Sequence, residues 1–397
     1  MYKTINNCLC CLSPNKSLLN LGNIPLANDF NKTKQSECFP LELMVCSNCY
    51  HCQLHCVVNP EILFKNYKYI SGTSNTGLTF FKQNSEFITN YVNHIGKILD
   101  IACNDGSQLN YFKELGWKTY GVDPAINLLD ISKKNGHEII CDFWNKSVAS
   151  KLPIMDVITA QNVFAHTEYV DEFLQACKLI MNKNSFLFIQ TSQKNMILNS
   201  EFDTIYHEHI SFFNIKSMDI LVKRNGLYLN KIHEADIHGT SYVFEIKTNL
   251  SDQSFIENYI SEEESKGMYS DKLYNTFSLN AKLISKNLKD KIEEFRTKGY
   301  KCIGYGAAAK GQTVLCYAEI DLDYIIDENP LKIGLFSPKM NIPIKSFEYF
   351  KEDTSSKFLI VILAWNFADE IISKIKNTEH TNYTIIKSYF PELIILN

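Results

Sequence analysis

The stretch Lys97-Ile98-Leu99-Asp100-Ile101-Ala102-Cys103-Asn104-Asp105-Gly106-Ser107 constrains this chain more than any other. A short apolar run gives way to a polar turn with one glycine, and Leu109, Tyr111, Phe112 and Leu115 follow at helical spacing. Strand, tight turn and helix open a βαβ unit and aim a helix N-terminus at whatever binds above the sheet. A second strand is expected over Lys118 to Val122, closed by Asp123. An acidic side chain placed there accepts hydrogen bonds from both hydroxyls of a ribose.

The turn lacks G-x-G-x-x-G, the spacing that brings backbone against a pyrophosphate. With one glycine it suits a nucleoside ligand without a phosphate, and S-adenosylmethionine fits that description better than NAD. Later segments point the same way. Strands are expected over Glu138 to Cys141, Met155 to Thr159 and Ser185 to Thr191. Leu227 to Ala235 and Ser241 to Thr248 then read as a terminal antiparallel pair, which is foreign to a dinucleotide fold and marks a class I methyltransferase sheet. At the third strand end, Asp142 and Phe143 put a carboxylate beside an aromatic ring, a combination that suits an adenine edge.

Seven of the 13 cysteines fall within the first 52 residues. Cys8-Leu9-Cys10-Cys11 and Cys46-Ser47-Asn48-Cys49 each contain a C-x-x-C knuckle, and two knuckles supply the four thiolates of a closed structural zinc site. A redox pair or unrelated thiols are the competing readings, and Cys10, Cys52 and Cys56 are spare thiols able to compete as ligands. The knuckles lie further apart than in the shortest zinc ribbons, so the intervening loop must fold back. After them, Tyr67-Lys68-Tyr69-Ile70-Ser71-Gly72 reads either as a polar linker or as a lid over a neighbouring pocket.

A net charge of −4 gives no support to nucleic acid or an anionic membrane as partner. No window approaches 18 apolar residues and the N-terminus has no apolar signal core, so a cytoplasmic location is expected. Residues 255 to 296 read as charged helix bridging two bodies. A second βαβ pattern opens at Tyr300, with Gly304-Tyr305-Gly306-Ala307-Ala308-Ala309-Lys310 as a turn suited to a pyrophosphate.

Tyr206-His207-Glu208-His209 is the densest run of functional groups. It follows the fifth strand, where open α/β sheets place their crevice. The spacing is H-E-H without a helical pattern, unlike a zincin. General acid–base work, structural histidines and metal ligation are the three readings, and a neutral-range imidazole beside a carboxylate favours the first.

In order along almost the whole chain, these segments resemble the sugar C-methyltransferase family, which acts on nucleotide-linked 4-keto deoxysugars. The segments that carry the resemblance are the two knuckles, Pro25-Leu26-Ala27-Asn28, Tyr67-x-Tyr69-x-Ser71-Gly72, Cys103-Asn104-Asp105-Gly106, Asn162-Val163-Phe164-Ala165-His166, Asp203-Thr204-Ile205-Tyr206-His207-Glu208-His209, the Gly304 turn, Asp327-x-Asn329-Pro330 and Trp365-Asn366-Phe367. The resemblance implies an α/β protein of four parts. These are a zinc module with a substrate loop (1–77), a Rossmann-like class I methyltransferase domain (78–254), a helical connector (255–298) and a second Rossmann-like domain for the nucleotide (299–397).

It also implies roles. Asp100, Cys103, Asn104, Gly106, Asp123, Asp142, Phe143 and Asn162 would hold S-adenosylmethionine. His209 would be the base, Glu208 and Tyr206 would position it or the sugar, and His166, Tyr67 and Tyr69 would donate to the developing oxyanion. His238, Tyr305 and Lys310 join the substrate set, and Cys8, Cys11, Cys46 and Cys49 hold structural zinc. The chain departs from the family at His238-Gly239-Thr240-Ser241, where His-Gly-Gly-Ser is frequent, and at Gln190-Thr191, where an acidic strand end is more usual. An O-methyltransferase on a sugar or glycan precursor, and a non-catalytic nucleotide-sugar binding protein, are the alternatives. The sequence leaves the oligomeric state open, a monomer included.

Overall fold

The computed structural model describes residues 1–65, 71–73, 75–192, 194–235, 240–250 and 252–397, the side chains of 73 and 75 excepted. Among these residues the strands form four sheets. The first five strands are β1 (Tyr2–Thr4), β2 (Asn15–Pro25), β3 (Cys38–Cys46), β4 (Cys52–Leu54) and β5 (Cys56–Val58). The segment between the knuckles is therefore no plain loop: β2 and β3 form a long antiparallel hairpin. Phe39, Leu41, Leu43 and Val45 are buried at every second position of β3, the period of a half-buried strand.

The central strands are β6 (Lys97–Ile101), β7 (Lys118–Val122), β8 (Glu138–Ile140), β9 (Val157–Gln161) and β10 (Phe186–Thr191), followed by β11 (Ser211–Phe212), β12 (Tyr228–Ala235) and β13 (Ser241–Lys247). Seven of them make one sheet in the order β12-β13-β10-β9-β6-β7-β8. β6 to β10 pair in parallel, whereas β13 runs antiparallel to both β10 and β12. The terminal antiparallel pair expected from sequence is thus present. Strand order reverses between β6 and β9, which opens a crevice at their carboxyl ends. The fourth parallel strand starts at Val157 rather than Met155, because the Met155 amide donates to the Ile180 carbonyl, outside the ladder.

β11 does not join this sheet. It pairs antiparallel with β4, Ser211 opposite Gln53, so the four-stranded N-terminal sheet runs β11-β4-β3-β2 and is completed from a distant part of the chain.

The expected connector consists of two helices, Ser254–Ser265 and Asp271–Thr297. The second buries Tyr274, Phe277, Ala281, Ile284, Leu288 and Ile292 along one face. That face shares one apolar core with Leu41, Leu43 and Leu54 of the N-terminal sheet and with Cys302, Ile325 and Val361 of the C-terminal strands. The helix is a packing element as much as a bridge. The last sheet contains β14 (Lys301–Tyr305), β15 (Tyr324–Ile326), β16 (Ile344–Lys345), β17 (Phe358–Ile362), β18 (Tyr383–Ser388) and β19 (Ile394–Leu396), in the order β16-β15-β14-β17-β18-β19. No described helix is long and apolar enough to cross a membrane.

Candidate active site and zinc centre

The Sγ atoms of Cys8, Cys11, Cys46 and Cys49 lie within 4.8 Å of one another. Cys8 and Cys49 approach to 3.5 Å and Cys11 and Cys46 to 3.3 Å. Disulfide sulfurs sit at about 2.05 Å, whereas thiolates around a tetrahedral zinc at about 2.3 Å are about 3.8 Å apart. The Asn48 amide also points at the Cys46 sulfur and the Cys10 amide at the Cys8 sulfur, as donors to thiolates do. Donor set and spacing fit zinc, with no corner open for water. The spare thiols of Cys10, Cys52 and Cys56 stay outside the cluster.

Helix Ile215–Arg224 clamps this centre at both ends. Asn214 caps the helix by accepting from the Ser217 amide at 2.7 Å and donates to the Cys49 carbonyl at 3.1 Å. Arg224, at the other end, donates to the carbonyls of Cys10 and Leu9 at 2.6 and 2.8 Å.

At the crevice, the turn after β6 passes through left-handed backbone at Ala102, Asn104 and Gly106. The Asp123 carboxylate accepts from the Asn104 amide with one oxygen and from the Ala125 amide with the other, both at 2.8 Å. Each oxygen keeps a second lone pair, so the group can still receive the two hydroxyls of a ribose. Asp100 accepts from Thr159 Oγ1 at 2.8 Å, and burial raises its pKa to about 7. Asn162, also in left-handed backbone, presents a buried Oδ1 with no hydrogen-bond partner among the described residues. Asp142 and Phe143 follow the end of β8, the edge strand of the sheet. Cys103 is placed otherwise: its thiol packs into the core, where a Cβ on Gly121 would stand 2.6 Å from the sulfur.

Ser71 and Gly72 dock on this same turn. Their amides donate to Asn104 Oδ1 at 3.0 Å and Asp105 Oδ2 at 3.1 Å. A Cβ at Gly72 would stand 2.4 Å from Ser107 Oγ, so a side chain there would lift the segment off. Tyr67, Tyr69 and His238 lie outside the described residues.

The run Tyr206-His207-Glu208-His209 follows a short 3-10 turn, Phe202–Thr204. His209 Nδ1 lies 2.7 Å from the Thr204 carbonyl and Nε2 lies 2.8 Å from the Tyr206 hydroxyl. A carbonyl only accepts, so Nδ1 carries the proton and Nε2 is left as the basic nitrogen, receiving the phenol. His166 faces His209 at a ring distance of 5.1 Å and stacks on Phe64 from the N-terminal region. Desolvation lowers its pKa to about 4, which makes it a neutral imidazole. The Glu208 carboxylate is buried and accepts from Asn28.

Both neighbouring modules hold this segment. The Leu54 amide of β4 donates to the Ile210 carbonyl at 2.8 Å. From the other side, Thr313 Oγ1 donates to the Ile205 carbonyl at 3.2 Å and Trp365 Nε1 to Asp203 Oδ2 at 2.7 Å. Lys310 Nζ sits over the Trp365 ring at 4.6 Å, and its charge offsets the burial that raises the Asp203 pKa to about 6. Tyr305 reaches in another direction, donating to Glu328 at 2.9 Å from within the C-terminal core. Gly306 has φ +92°, and a Cβ there would meet the Ala364 Cβ at 2.6 Å. Close packing thus accounts for this glycine of the second turn. The sequence reading missed Thr204, Asn28, Asp203 and Trp365. All four lay within segments that carry the resemblance, but only three-dimensional contact shows what they touch.

Three family models match in succession along the chain: a zinc binding domain over residues 8–64, a methyltransferase domain over 63–232 and a C-methyltransferase C-terminal domain over 236–388. The C-methyltransferase NovU of Streptomyces niveus is 26% identical over 379 residues, which is 90% of this chain and 89% of that one. The chain is an S-adenosylmethionine-dependent methyltransferase whose C-terminal part matches the C-methyltransferase model. A ubiquinone biosynthesis O-methyltransferase of Actinobacillus pleuropneumoniae is 24% identical over 110 residues, 25% of this chain and 47% of that enzyme. The solved plantazolicin methyltransferase BpumL in complex with SAH overlaps 44% of this chain and 86% of its own, at 19% identity and a TM-score of 0.36. This methyltransferase uses S-adenosylmethionine in its central domain and structural zinc in its N-terminal module.

Proposed function

We propose that this enzyme methylates the carbon alpha to the ketone of a nucleotide-linked 4-keto deoxysugar, with His209 as the base. The observation that carries the reading is the fixed tautomer of His209, with Nδ1 tied to the Thr204 carbonyl and Nε2 presented as the basic nitrogen. An α-proton beside a ketone is acidic enough for imidazole only when the enolate oxygen is stabilised by donors.

Nε2 takes the α-proton, the C–H electron pair moves into the enolate, and the phenol of Tyr206, released from Nε2, donates to the sugar oxygen. His166, kept neutral by burial, is a second donor rather than a charge. Glu208 accepts from a sugar hydroxyl and so fixes which carbon faces the base. Asp123 and Asn162 hold the adenosine and amino-acid ends of S-adenosylmethionine. When bound, that cofactor supplies an electrophilic methyl on a sulfonium and leaves as S-adenosylhomocysteine. The C-terminal sheet, with Lys310 beside Trp365, takes the nucleotide, and the enzyme works in the cytoplasm.

A panel of nucleotide-linked 4-keto-6-deoxysugars, incubated with S-adenosylmethionine and followed by mass spectrometry, tests the reading. The expected product gains one methyl and loses one α-hydrogen. A product methylated on oxygen, with both α-hydrogens kept, would overturn it.

A further inference from the structure

We propose that Asn28 is a positioning residue of the active site, which holds the Glu208 carboxylate in one rotamer beside His209. Asn28 Nδ2 donates to Glu208 Oε1 at 2.7 Å across 180 residues of sequence. Glu208 is only 6% exposed, and a buried carboxylate needs fixed donors in place of water. A donor to the anion favours the anion, and one held rigidly also selects a rotamer.

Asn28 is itself held from both sides. It sits in the turn that follows β2, closed by the Asp29 amide on the Leu26 carbonyl at 3.0 Å. Two residues on, Phe30 is buried beneath the Lys332 ammonium, 4.8 Å from its ring centre. Asn31 and Phe336 then exchange both backbone hydrogen bonds, at 3.4 and 2.9 Å, between this turn and the C-terminal domain. The amide is thus presented from backbone that is already ordered, so little conformational entropy is lost in making the bond.

The consequence reaches the base, because Glu208 and His209 share one turn, closed by the His209 amide on the Tyr206 carbonyl at 2.9 Å. Freeing the Glu208 side chain loosens the backbone that sets the His209 ring. The inference rests on the reading of His209 as the base and of Glu208 as a sugar contact. It adds that the turn after β2, within the zinc-bearing part of the N-terminal module, contributes a side chain that orders the active site and does more than stabilise the fold.

The test uses the full-length, zinc-loaded enzyme and three variants. N28A is expected to lower kcat about 10- to 100-fold, the scale of a misplaced reacting group, with zinc content and S-adenosylmethionine affinity unchanged. N28D keeps the shape but replaces the donor by a second carboxylate, so it is expected to be slower than N28A. If Asn28 only filled space, N28D would be the faster of the two. The double variant N28A/E208Q is expected to be no slower than E208Q alone, since the two residues act as one unit. N28S replaces N28A should that variant lose zinc, and it is expected to stay faster than N28D. N28D at or above N28A (or N28S), or fully multiplicative losses in the double variant, overturns the proposal. Such a result in an enzyme whose His209→Gln variant is inactive removes Asn28 alone, whereas a wild type that methylates no ketosugar removes the parent reading.

Discussion

Asn214 donates its side-chain amide to the Cys49 carbonyl at 3.1 Å, and this one bond fastens the helix that follows the acid–base cluster to a zinc knuckle. Arg224 repeats the attachment at the far end of the same helix. Between cluster and helix, β11 is an edge strand of the N-terminal sheet. The segment bearing His209 therefore takes its position from the zinc module as well as from the methyltransferase sheet.

Loss of zinc should consequently reach the chemistry. Cys46→Ser removes one of four ligands, and structural zinc contributes directly to folding free energy. The variant is expected to lose zinc and unfold at lower temperature, and to lose kcat more than S-adenosylmethionine affinity. Metal analysis, thermal denaturation and calorimetric titration of the cofactor check the three parts.

Asp123 joins the turn after β6 to the end of β7 through two amides while retaining lone pairs for a ribose. Hydrogen bonds to a charged acceptor contribute roughly 1.5–3 kcal/mol, so Asp123→Ala is expected to weaken S-adenosylmethionine binding about 10- to 100-fold. Calorimetry reads this directly, and zinc content should not change.

His207 is a different kind of residue from His209. Its ring is buried edge-on to Phe39, and desolvation lowers its pKa to about 4, against about 6.5 in an unfolded chain. The unfolded state binds the proton more readily between these values, so stability drops as pH falls from about 6.5 to about 4. His207→Leu removes this contribution. Relative to the variant, the wild type is expected to lose up to about 3 kcal/mol over that window. Urea denaturation of both proteins at pH 7 and pH 5 reads about 2 kcal/mol of this difference, in which any shared effect of zinc release cancels.

The central sheet was legible in the sequence because its strands are short apolar runs at the ends of clear helical patterns, as at Lys97 to Ile101 and Lys118 to Val122. Asp123 at the strand end was legible for the same reason. The β2–β3 hairpin was not, since Asn15–Pro25 mixes polar and apolar residues and the cysteines drew the reading towards a loop. β11 escaped as well. A strand of two residues has no periodicity, and its partner β4 lies far away in sequence. At the site, residue types alone pointed to Tyr206, Glu208 and His209. The Thr204 carbonyl that sets the tautomer carries no side-chain signal. The Cys103 side chain packs in the core beside Gly121, because the motif constrains the turn and leaves the thiol to fill that space. Tyr305 likewise belongs to the C-terminal core through its bond to Glu328.

The most direct measurement is α-proton exchange in heavy water with a 4-keto-6-deoxysugar nucleotide, followed by mass spectrometry for the wild type and His209→Gln. The account predicts methyl transfer and α-deuterium uptake by the wild type. It predicts loss of both by about 100- to 10,000-fold in the variant, the range of a general base, with S-adenosylmethionine still bound. A His209→Gln enzyme that exchanges and methylates at the wild-type rate would contradict it.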